Sequence, residues 1–243
     1  MSSADNSFFN FNLIHINCRS LSANFSQITT LISNANHDFS AIAVSETWLN
    51  DCNQSIFQIP GYYFMSLNRN NNKRGGGVGI YVKDSFVCNE KNILTVSNDD
   101  IECLVVEISL QIGNHTFSFL IGTLYRPPGS SVGNFCREME KLLVNITQRK
   151  NDYKLVALLG DYNIDLMTSY RNKSTNDFLN LLNDHGFLQM ITKPTRVNNT
   201  SATLIDNIFI NNITSSSKSA ILYNDISDHF PILLHCTFPI KKG

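Results

Sequence analysis

The feature that most constrains the fold is a series of short apolar runs with strand composition, spread along nearly the whole chain. Apolar residues alternate with a period of two from Leu104 to Leu110, which is typical of one face of a strand. The turn residues Ile112–Asn114 predict a hairpin between that run and the next. We predict eight strands: Phe11–Ile16, Ser40–Val44, Gly77–Val82, Leu104–Leu110, Thr116–Leu124, Leu155–Leu159, Ile205–Ile210 and Ile232–Phe238.

Three segments have helical spacing of apolar residues: Ser22–Ser33, Phe135–Ile146 and Thr175–Asp184. Ser174 or Thr175 is the predicted cap of the third. Strands with interspersed helices favour an α+β sandwich in which two sheets pack face to face with helices outside. Because composition does not change along the chain, we predict one domain, 11–239, between a flexible N-terminus, 1–10, and a short tail, 240–243.

Composition narrows the classes of function. A formal net charge of −1 argues against dependence on non-specific phosphate contacts alone, although active-site carboxylates would offset a basic surface. The six cysteines lack the spacing of a zinc or redox site, so we expect buried thiols in a reducing compartment. The sequence has no signal-peptide pattern and no apolar run of membrane-spanning length, which predicts an intracellular protein without a membrane partner.

Polar side chains stand directly at the ends of several predicted strands. One such residue could belong to a turn, but several converging strand ends form a rigid platform for chemistry. Their carboxylates suit Mg²⁺ or Mn²⁺, and a histidine can stabilise or protonate phosphate near neutral pH. The set indicates metal-assisted phosphoester hydrolysis and comprises Asn17, Glu46, Tyr125, Asp161, Asn163, Asp206, Asp228 and His229.

The same residues lie in motifs with a recognisable order. The strings Asn17–Leu21, Ser45–Leu49, Gly160–Asn163, Leu204–Ile208 and Ser227–Pro231 resemble the ordered motifs of the endonuclease/exonuclease/phosphatase superfamily. Leu124–Pro128, Lys73–Ile80 and Gly160–Asp165 are similar to the apurinic-like endonuclease domain of non-LTR (LINE-type) retrotransposons. The resemblance implies a DNase-I-like four-layer α/β-sandwich, with two packed mixed β-sheets flanked by helices.

The resemblance also implies a function. The domain would nick one strand of double-stranded DNA and leave a 3′-hydroxyl that primes reverse transcription. In such elements it precedes a reverse transcriptase on one polypeptide and acts in the nucleus, so we expect this chain to be an excised domain.

The resemblance implies which residues bind the metal and which activate the attacking water. Glu46 would bind Mg²⁺ or Mn²⁺, with Asn17 nearby and Asp228 supporting the metal or the leaving oxygen. Asp161 would orient and deprotonate the attacking water, and Asn163 would hold that arrangement.

Charge stabilisation and DNA contacts are implied in the same way. Tyr125 would donate to the scissile phosphate, and His229, paired with Asp206, would stabilise charge on the phosphorane oxygens. For Arg126 a structural loop contact is an equal alternative to a DNA contact. The residues implied to contact DNA are Lys73, Arg74, Arg126, Thr195, Arg196 and Ser227, and Trp48 is expected to pack beneath the site.

One departure separates the possible functions. Repair enzymes of the superfamily have an aspartate two residues after the first-motif asparagine, where this chain has Arg19. Because the retrotransposon branch commonly lacks that aspartate, Arg19 favours a transposon enzyme over a repair enzyme. Other phosphoester substrates and a catalytically inactive DNA-binding module remain alternatives. The polar loop Lys193–Thr203 is the predicted reader of DNA shape, unless it is a disordered loop.

Overall fold

A computed structural model describes residues 7–35, 37–50, 52–69, 75–212 and 216–240 of the chain. In spatial order, the first sheet contains β14 (Lys218–Ile221), β15 (Ile232–Ile240), β1 (Ser7–Asn17), β2 (Ala41–Ser45), β4 (Val78–Lys83) and β3 (Tyr62–Leu67). The second contains β10 (Leu188–Gln189), β13 (Asp206–Ile210), β9 (Leu155–Asp161), β8 (His115–Tyr125), β7 (Glu102–Ile112) and β5 (Val87–Glu90), with β6 (Val96–Ser97) also paired to β7. A separate hairpin joins β11 (Arg196–Val197) and β12 (Ala202–Thr203).

Three α-helices cover the outer faces of the sheets: α1 (Leu21–Asn34), α2 (Val132–Thr147) and α3 (Lys173–Asp184). Single 3₁₀ turns occur at Gln54–Ile56, Lys150–Asp152 and Leu166–Thr168. Helix α1 buries Leu21 and Ile28 against the first sheet. Helices α2 and α3 bury Phe135 and Phe178 around the Tyr162 ring beside the second sheet. The layers are therefore helix, sheet, sheet and helices, and the predicted four-layer sandwich is confirmed.

Alternation along β1 determines which side chains lie between the sheets. Phe11 and Leu13 belong to the central core, and the Phe11 ring stacks on Phe119 of β8 with centroids 4.0 Å apart. Burying one such side chain contributes about 1.5–3 kcal/mol to folding. The intervening Ile14 faces the α1 side instead. Asn17 has the same parity as Phe11 and Leu13, so it projects from the end of β1 toward the second sheet.

Each sheet contains one parallel pair at its centre, β1 with β2 and β8 with β9, and the other pairings are antiparallel among the described residues. The carboxyl ends of the four parallel strands meet at one edge of the sandwich. The last residues of these strands, Asn17, Ser45, Tyr125 and Asp161, are aligned in register as Asn17 with Ser45 and Tyr125 with Asp161. This edge is therefore the place where polar strand-end residues come together.

The eight predicted strands are all present, and the predicted hairpin is confirmed. Strands β7 and β8 pair from Ile112 with His115, so the turn consists of Gly113 and Asn114, and Gly113 has a φ of 58°. Seven further strands that we did not predict are present in the described ranges. Most are only two to four residues long, too short for a periodic pattern: β3, β5, β6, β10, β11, β12 and β14.

Two local predictions are corrected. The cap of α3 is Asn172, whose side chain accepts from the amides of Ser174 and Thr175, so those residues receive the cap instead of providing it. Residues 7–10 of the predicted flexible N-terminus are part of β1, because Ser7 pairs with Ile240.

The six cysteines are free thiols in the structure. Cys52 is exposed, contrary to the expectation that the thiols are buried, because it lies in the loop after Leu49 and not in a strand. In the described part of the chain, none of the helices is both long enough and apolar enough to span a membrane.

Candidate active site

The two sheets are connected at this edge by the side-chain amide of Asn17. Its Nδ2 atom donates to Glu46 Oε1 and to Asp161 Oδ2, and both distances are 2.9 Å. Glu46 follows β2 in the first sheet, and Asp161 ends β9 in the second. One amide nitrogen therefore joins a carboxylate from each sheet, and three predicted site residues lie together.

Asp161 is fully buried and is held by the residues that follow it. The Asn163 amide donates to Oδ1 at 2.9 Å, and Asn163 Nδ2 donates to Oδ2 at 3.2 Å. The same Nδ2 donates to the carbonyl of Arg126 at 2.8 Å, which fixes the amide plane. Gly160 permits this approach of β8 and β9, because a Cβ at that position would lie 2.1 Å from the Leu124 carbonyl oxygen.

His229 and Asp206 form the second half of the site. His229 Nδ1 lies 2.9 Å from Asp206 Oδ2 and 4.0 Å from Asp161 Oδ2. The Thr195 hydroxyl donates to Asp206 Oδ2 at 2.8 Å and accepts from the Asp206 amide at 3.1 Å. Asp206 is directly opposite Asp161 in the β13–β9 register, so strand pairing alone places the two carboxylates side by side.

Burial and neighbouring charge change the protonation of this group. Burial alone lowers the pKa of His229, but the Asp206 charge and hydrogen bond, together with Asp161 and Asp228, raise that pKa to about 9. Burial, with the adjacent Asp206 charge, raises the pKa of Asp161 well above its usual range, and His229 opposes that rise. An imidazolium on Asp206 beside a basic carboxylate is suited to proton transfer and to stabilisation of an anion.

Tyr125 ends β8 next to Asp161 and is almost fully buried. Burial, and then the charges of Glu46 and Asp161, raise the pKa of its hydroxyl well above the usual value. The phenol therefore keeps its proton at neutral pH and can act as a hydrogen-bond donor at the site.

Strained backbone is concentrated at the same edge. The described residues other than glycine that have positive φ all follow β1, β2 or β9. Such conformations cost about 1–3 kcal/mol each and are typical of functional sites. They are Arg19, Ser20, Glu46, Trp48 and Asn163. Trp48 is 36% exposed, so it is only partly covered at the position where the sequence predicts that it packs beneath the site.

Asp228 lies beside His229, with its Oδ1 atom 3.9 Å from His229 Nε2, and it pairs with two arginines. Arg19 Nη1 lies 2.6 Å from Oδ1, and Arg196 Nη2 lies 2.7 Å from Oδ2. Burial alone raises the pKa of Asp228, but the Arg196 and Arg19 hydrogen bonds outweigh it and lower that pKa. Each oxygen of Asp228 is therefore paired with a guanidinium group at the rim of the site.

Two predicted DNA contacts are buried and therefore structural. Arg126 is 5% exposed, and its guanidinium donates to the carbonyls of Tyr162, Ser130 and Asn163. Thr195 is fully buried, with its hydroxyl on Asp206. Non-local packing encloses both side chains, so neither can reach a nucleic acid.

The remaining predicted DNA contacts have different outcomes. The Ser227 hydroxyl donates to the Asn17 carbonyl at 2.9 Å and joins the 227–229 loop to β1. Arg196 is partly exposed in the short β11–β12 hairpin, where it forms an isolated bridge with His229. Lys73 and Arg74 lie outside the described residues.

Two residues near the site were not predicted. Glu102, at the start of β7 opposite Tyr125, is buried and accepts from Arg69 Nε and from the Gly77 amide. The guanidinium of Arg69 lies over the Tyr125 ring, 5.6 Å from its centroid. The available signal was an acidic residue, Glu102, directly before the apolar run Cys103–Val106 of β7.

The model of the Endonuclease/Exonuclease/phosphatase family matches residues 14–229. This chain belongs to that family. The match extends from the middle of β1 to His229 and so includes every part of the site described above. No curated protein matches the chain in sequence.

Solved structures of the endonuclease/exonuclease/phosphatase family have the same fold. The AP endonuclease LMAP from Leishmania major superposes with a TM-score of 0.71 at 12% identity, covering 95% of this chain and 88% of that one. The endonuclease domain of TRAS1, a telomere-specific non-LTR retrotransposon, gives 0.65 at 13% identity, covering 93% and 98%. A family protein from Bacteroides thetaiotaomicron gives 0.66 at 17%, covering 96% and 100%. At these identities the likeness establishes the fold alone.

Members of the family are generally hydrolytic nucleases or phosphatases that use divalent metals. In the described residues, Asp161, Asp206 and His229 form a buried group whose ligand atoms lie within 4.8 Å of one another. Asp206 and His229 Nδ1 are hydrogen-bonded to each other and so already have partners. Glu46 and Asp161, by contrast, offer carboxylate oxygens on either side of Asn17. This chemistry fits a hard divalent cation at the Glu46 end of the site.

Proposed function

We propose that this chain is a metal-dependent DNA endonuclease that nicks one strand of duplex DNA for a non-LTR retrotransposon. The 3′-hydroxyl at the nick would prime reverse transcription. The observation that carries the proposal is the group in which Asn17 joins Glu46 to Asp161 while Asp206 orients His229. These are the groups that hydrolysis of a phosphodiester requires: a carboxylate near a cation, a base for water, and a donor to the phosphate.

Glu46 and Asn17 are the residues that would hold Mg²⁺ or Mn²⁺, and the bound cation would neutralise charge that develops on the phosphate. Asp228, by contrast, has both oxygens paired with arginines. The proposed metal set is therefore smaller than the one implied by the sequence.

The chain's own residues account for the proton transfers. Asp161, with its raised pKa, would orient the attacking water and accept its proton. Asn163 keeps the Asp161 carboxylate in one orientation through two hydrogen bonds. The Nε2 atom of the His229 imidazolium, which Asp206 does not engage, and the neutral Tyr125 hydroxyl would donate to non-bridging phosphate oxygens.

The residues at the rim of the site support the proposal that duplex DNA is the substrate. Arg19 and Arg196 project at the rim on either side of Asp228, where they would contact phosphates that flank the scissile bond. The β11–β12 hairpin lies beside His229 and is the part of loop Lys193–Thr203 that would enter a groove. Arg19, where repair enzymes have an aspartate, favours the transposon function over abasic-site repair.

The direct test is nicking of supercoiled plasmid by wild type with Mg²⁺, with Mn²⁺ and with EDTA. Asp161→Asn and His229→Gln are each expected to reduce nicking by at least about 100-fold. Asp152→Asn and His37→Gln are matched controls, because both residues are exposed and distant from the site. Metal-independent nicking, or full activity of either site variant, would contradict the proposal.

The product and substrate separate the alternatives. Polymerase extension from the nick without end processing would establish a 3′-hydroxyl. Cleavage restricted to a duplex that contains one abasic site would indicate a repair enzyme, and hydrolysis of only non-nucleic phosphoesters would indicate another branch of the family. Mapping nicks on a long duplex would then give the target preference.

A further inference from the structure

A buried ion pair that the proposed mechanism does not use lies between the two sheets at the site. Glu102 is 1% exposed, and its Oε1 accepts from Arg69 Nε. Its Oε2 accepts from the Gly77 amide at 2.6 Å. Burying a charged pair is justified energetically only when the geometry is good and the lone pairs are satisfied, and replacement by apolar residues is often neutral. The pair is therefore weak evidence for a role in stability, and its contacts on either side are more informative.

On one side, the pair contacts Tyr125. The Arg69 guanidinium carbon is 5.6 Å from the Tyr125 ring centroid, and Glu102 is directly opposite Tyr125 in the β7–β8 register. A cation over the face of a tyrosine is attracted by the ring quadrupole, more strongly when both are withdrawn from water. The ring of Tyr125 is therefore held in position by Arg69, and its hydroxyl with it.

On the other side, the pair holds the loop that follows β2. Thr47 and Trp48 donate their amides to the carbonyls of Gly77 and Gly76 at 3.2 and 2.9 Å. The Gly77 amide is bonded to Glu102, so the backbone that follows Glu46 is tied to the ion pair through two short links. Glu46 itself has a φ of 53°, a conformation that persists only where its surroundings constrain it.

The glycines in this contact fit the guanidinium closely. Gly76 has a φ of 74°, and a Cβ on it would lie 2.2 Å from Arg69 Cζ. The fit differs from that of Arg126, whose guanidinium nitrogens each donate to a backbone carbonyl. In the described part of the chain, Arg69 Nη2 is buried without a hydrogen-bond partner. Contacts with Glu102, the glycines and Tyr125 therefore fix the position of Arg69, although not every N–H donor of its guanidinium has a hydrogen-bond partner.

We propose that Arg69, held by Glu102, is a positioning residue that sets the Tyr125 hydroxyl and the Glu46 turn relative to each other across the two sheets. The inference rests on the proposed nuclease function, because Tyr125 and Glu46 act in that reaction. Arg69 itself does not touch the reacting atoms. It positions one catalytic residue from each sheet, so the two residues keep a fixed relation although they belong to different sheets.

The test is a double-mutant cycle on steady-state nicking at saturating Mn²⁺, with Arg69→Met alone and in a Tyr125→Phe background. The phenylalanine keeps the ring but removes the hydroxyl that Arg69 is proposed to position. Arg69→Met is expected to lower kcat by about 100-fold in wild type, with KM for duplex changed by less than about 3-fold. Because saturating Mn²⁺ compensates for weaker metal binding at the Glu46 turn, the same change is expected to cost less than about 3-fold in the Tyr125→Phe background. Equal losses in both backgrounds, or a loss confined to KM, would overturn the proposal.

Three further variants remove the ambiguity of a damaged fold. Arg69→Lys keeps the charge without the planar fork and is expected to recover part of the rate. Arg69→Met combined with Glu102→Gln removes both charges, so no buried charge is left unpaired, and it is expected to remain slow. If this pair recovers the wild-type rate, Arg69 serves only to neutralise Glu102 and the proposal is wrong. Arg137→Met, at an exposed position of α2, is the matched control and is expected to nick normally.

Mn²⁺ binding by calorimetry tests the Glu46 side of the proposal without DNA. Arg69→Met is expected to weaken Mn²⁺ affinity by about 10-fold or more, as loss of outer contacts does at other metal sites. Unchanged affinity would overturn the link to Glu46. If wild type binds Mn²⁺ but nicks no DNA, the proposed function fails, while this measurement still decides the positioning role.

Discussion

Thr195→Val is the substitution that best separates a structural residue from one that contacts DNA. Valine keeps the shape of threonine but removes a hydroxyl that donates to Asp206 and accepts from the Ile205 and Asp206 amides. The bond to the carboxylate contributes about 1.5–3 kcal/mol and each amide bond about 0.5–1.5 kcal/mol. The added methyl group returns about 0.8 kcal/mol through apolar burial. We therefore expect a loss of about 2–5 kcal/mol in the free energy of unfolding.

Urea unfolding of the metal-free protein measures this loss as a lower midpoint at unchanged slope. Because Asp206 orients His229, nicking is also expected to fall by about 10-fold or more, with KM for DNA little changed. Thr195→Ser should restore both quantities, and Thr192→Val at an exposed position of the same segment should change neither. A rise in KM without loss of stability would refute the argument and return Thr195 to the DNA contacts.

Three other perturbations test separate parts of the site. Since the pKa of His229 is raised to about 9 from about 6.5 in the unfolded chain, its contribution is fully present below pH 6.5 and is lost as pH rises through 9. Stability of the metal-free protein should fall by up to about 3 kcal/mol across that window, and His229→Gln should flatten the fall. Gly160→Ala should destabilise the protein by about 2 kcal/mol or more in thermal unfolding through backbone overlap, whereas Gly129→Ala, which meets open space, should not. Asp228→Asn should weaken DNA binding in a salt-dependent way but leave Mn²⁺ affinity within about 3-fold. Glu46→Gln should weaken Mn²⁺ affinity but leave DNA binding within about 3-fold.

The site residues could be predicted where strand geometry brings strand ends together. Asn17, Tyr125 and Asp161 each end a parallel strand, and Asp206 begins the strand paired with Asp161. Because side chains of one parity share a face, period-two patterns already carry this information. The predicted fold was confirmed for the same reason.

Residue roles outside the strands were less predictable. Arg126 and Arg196 are the same residue type in polar loops, yet one is enclosed by carbonyls and the other lies on the rim. Asp228 comes directly before His229, but its oxygens face two arginines that are distant in sequence. Such roles depend on which loops meet in space, and no local pattern encodes that.

Local sequence was sufficient for eight of the fifteen strands in the described residues, their buried faces, the order of the motifs and the identity of the acidic and histidine residues. Those properties follow from apolar alternation and residue chemistry, which act over a few neighbouring positions. Only the tertiary structure decided that Asn17 connects the two sheets and that Thr195 supports Asp206. It also placed Arg69 and Glu102 beside Tyr125. These contacts form when the two sheets pack, so their partners are set by the packing of the whole core.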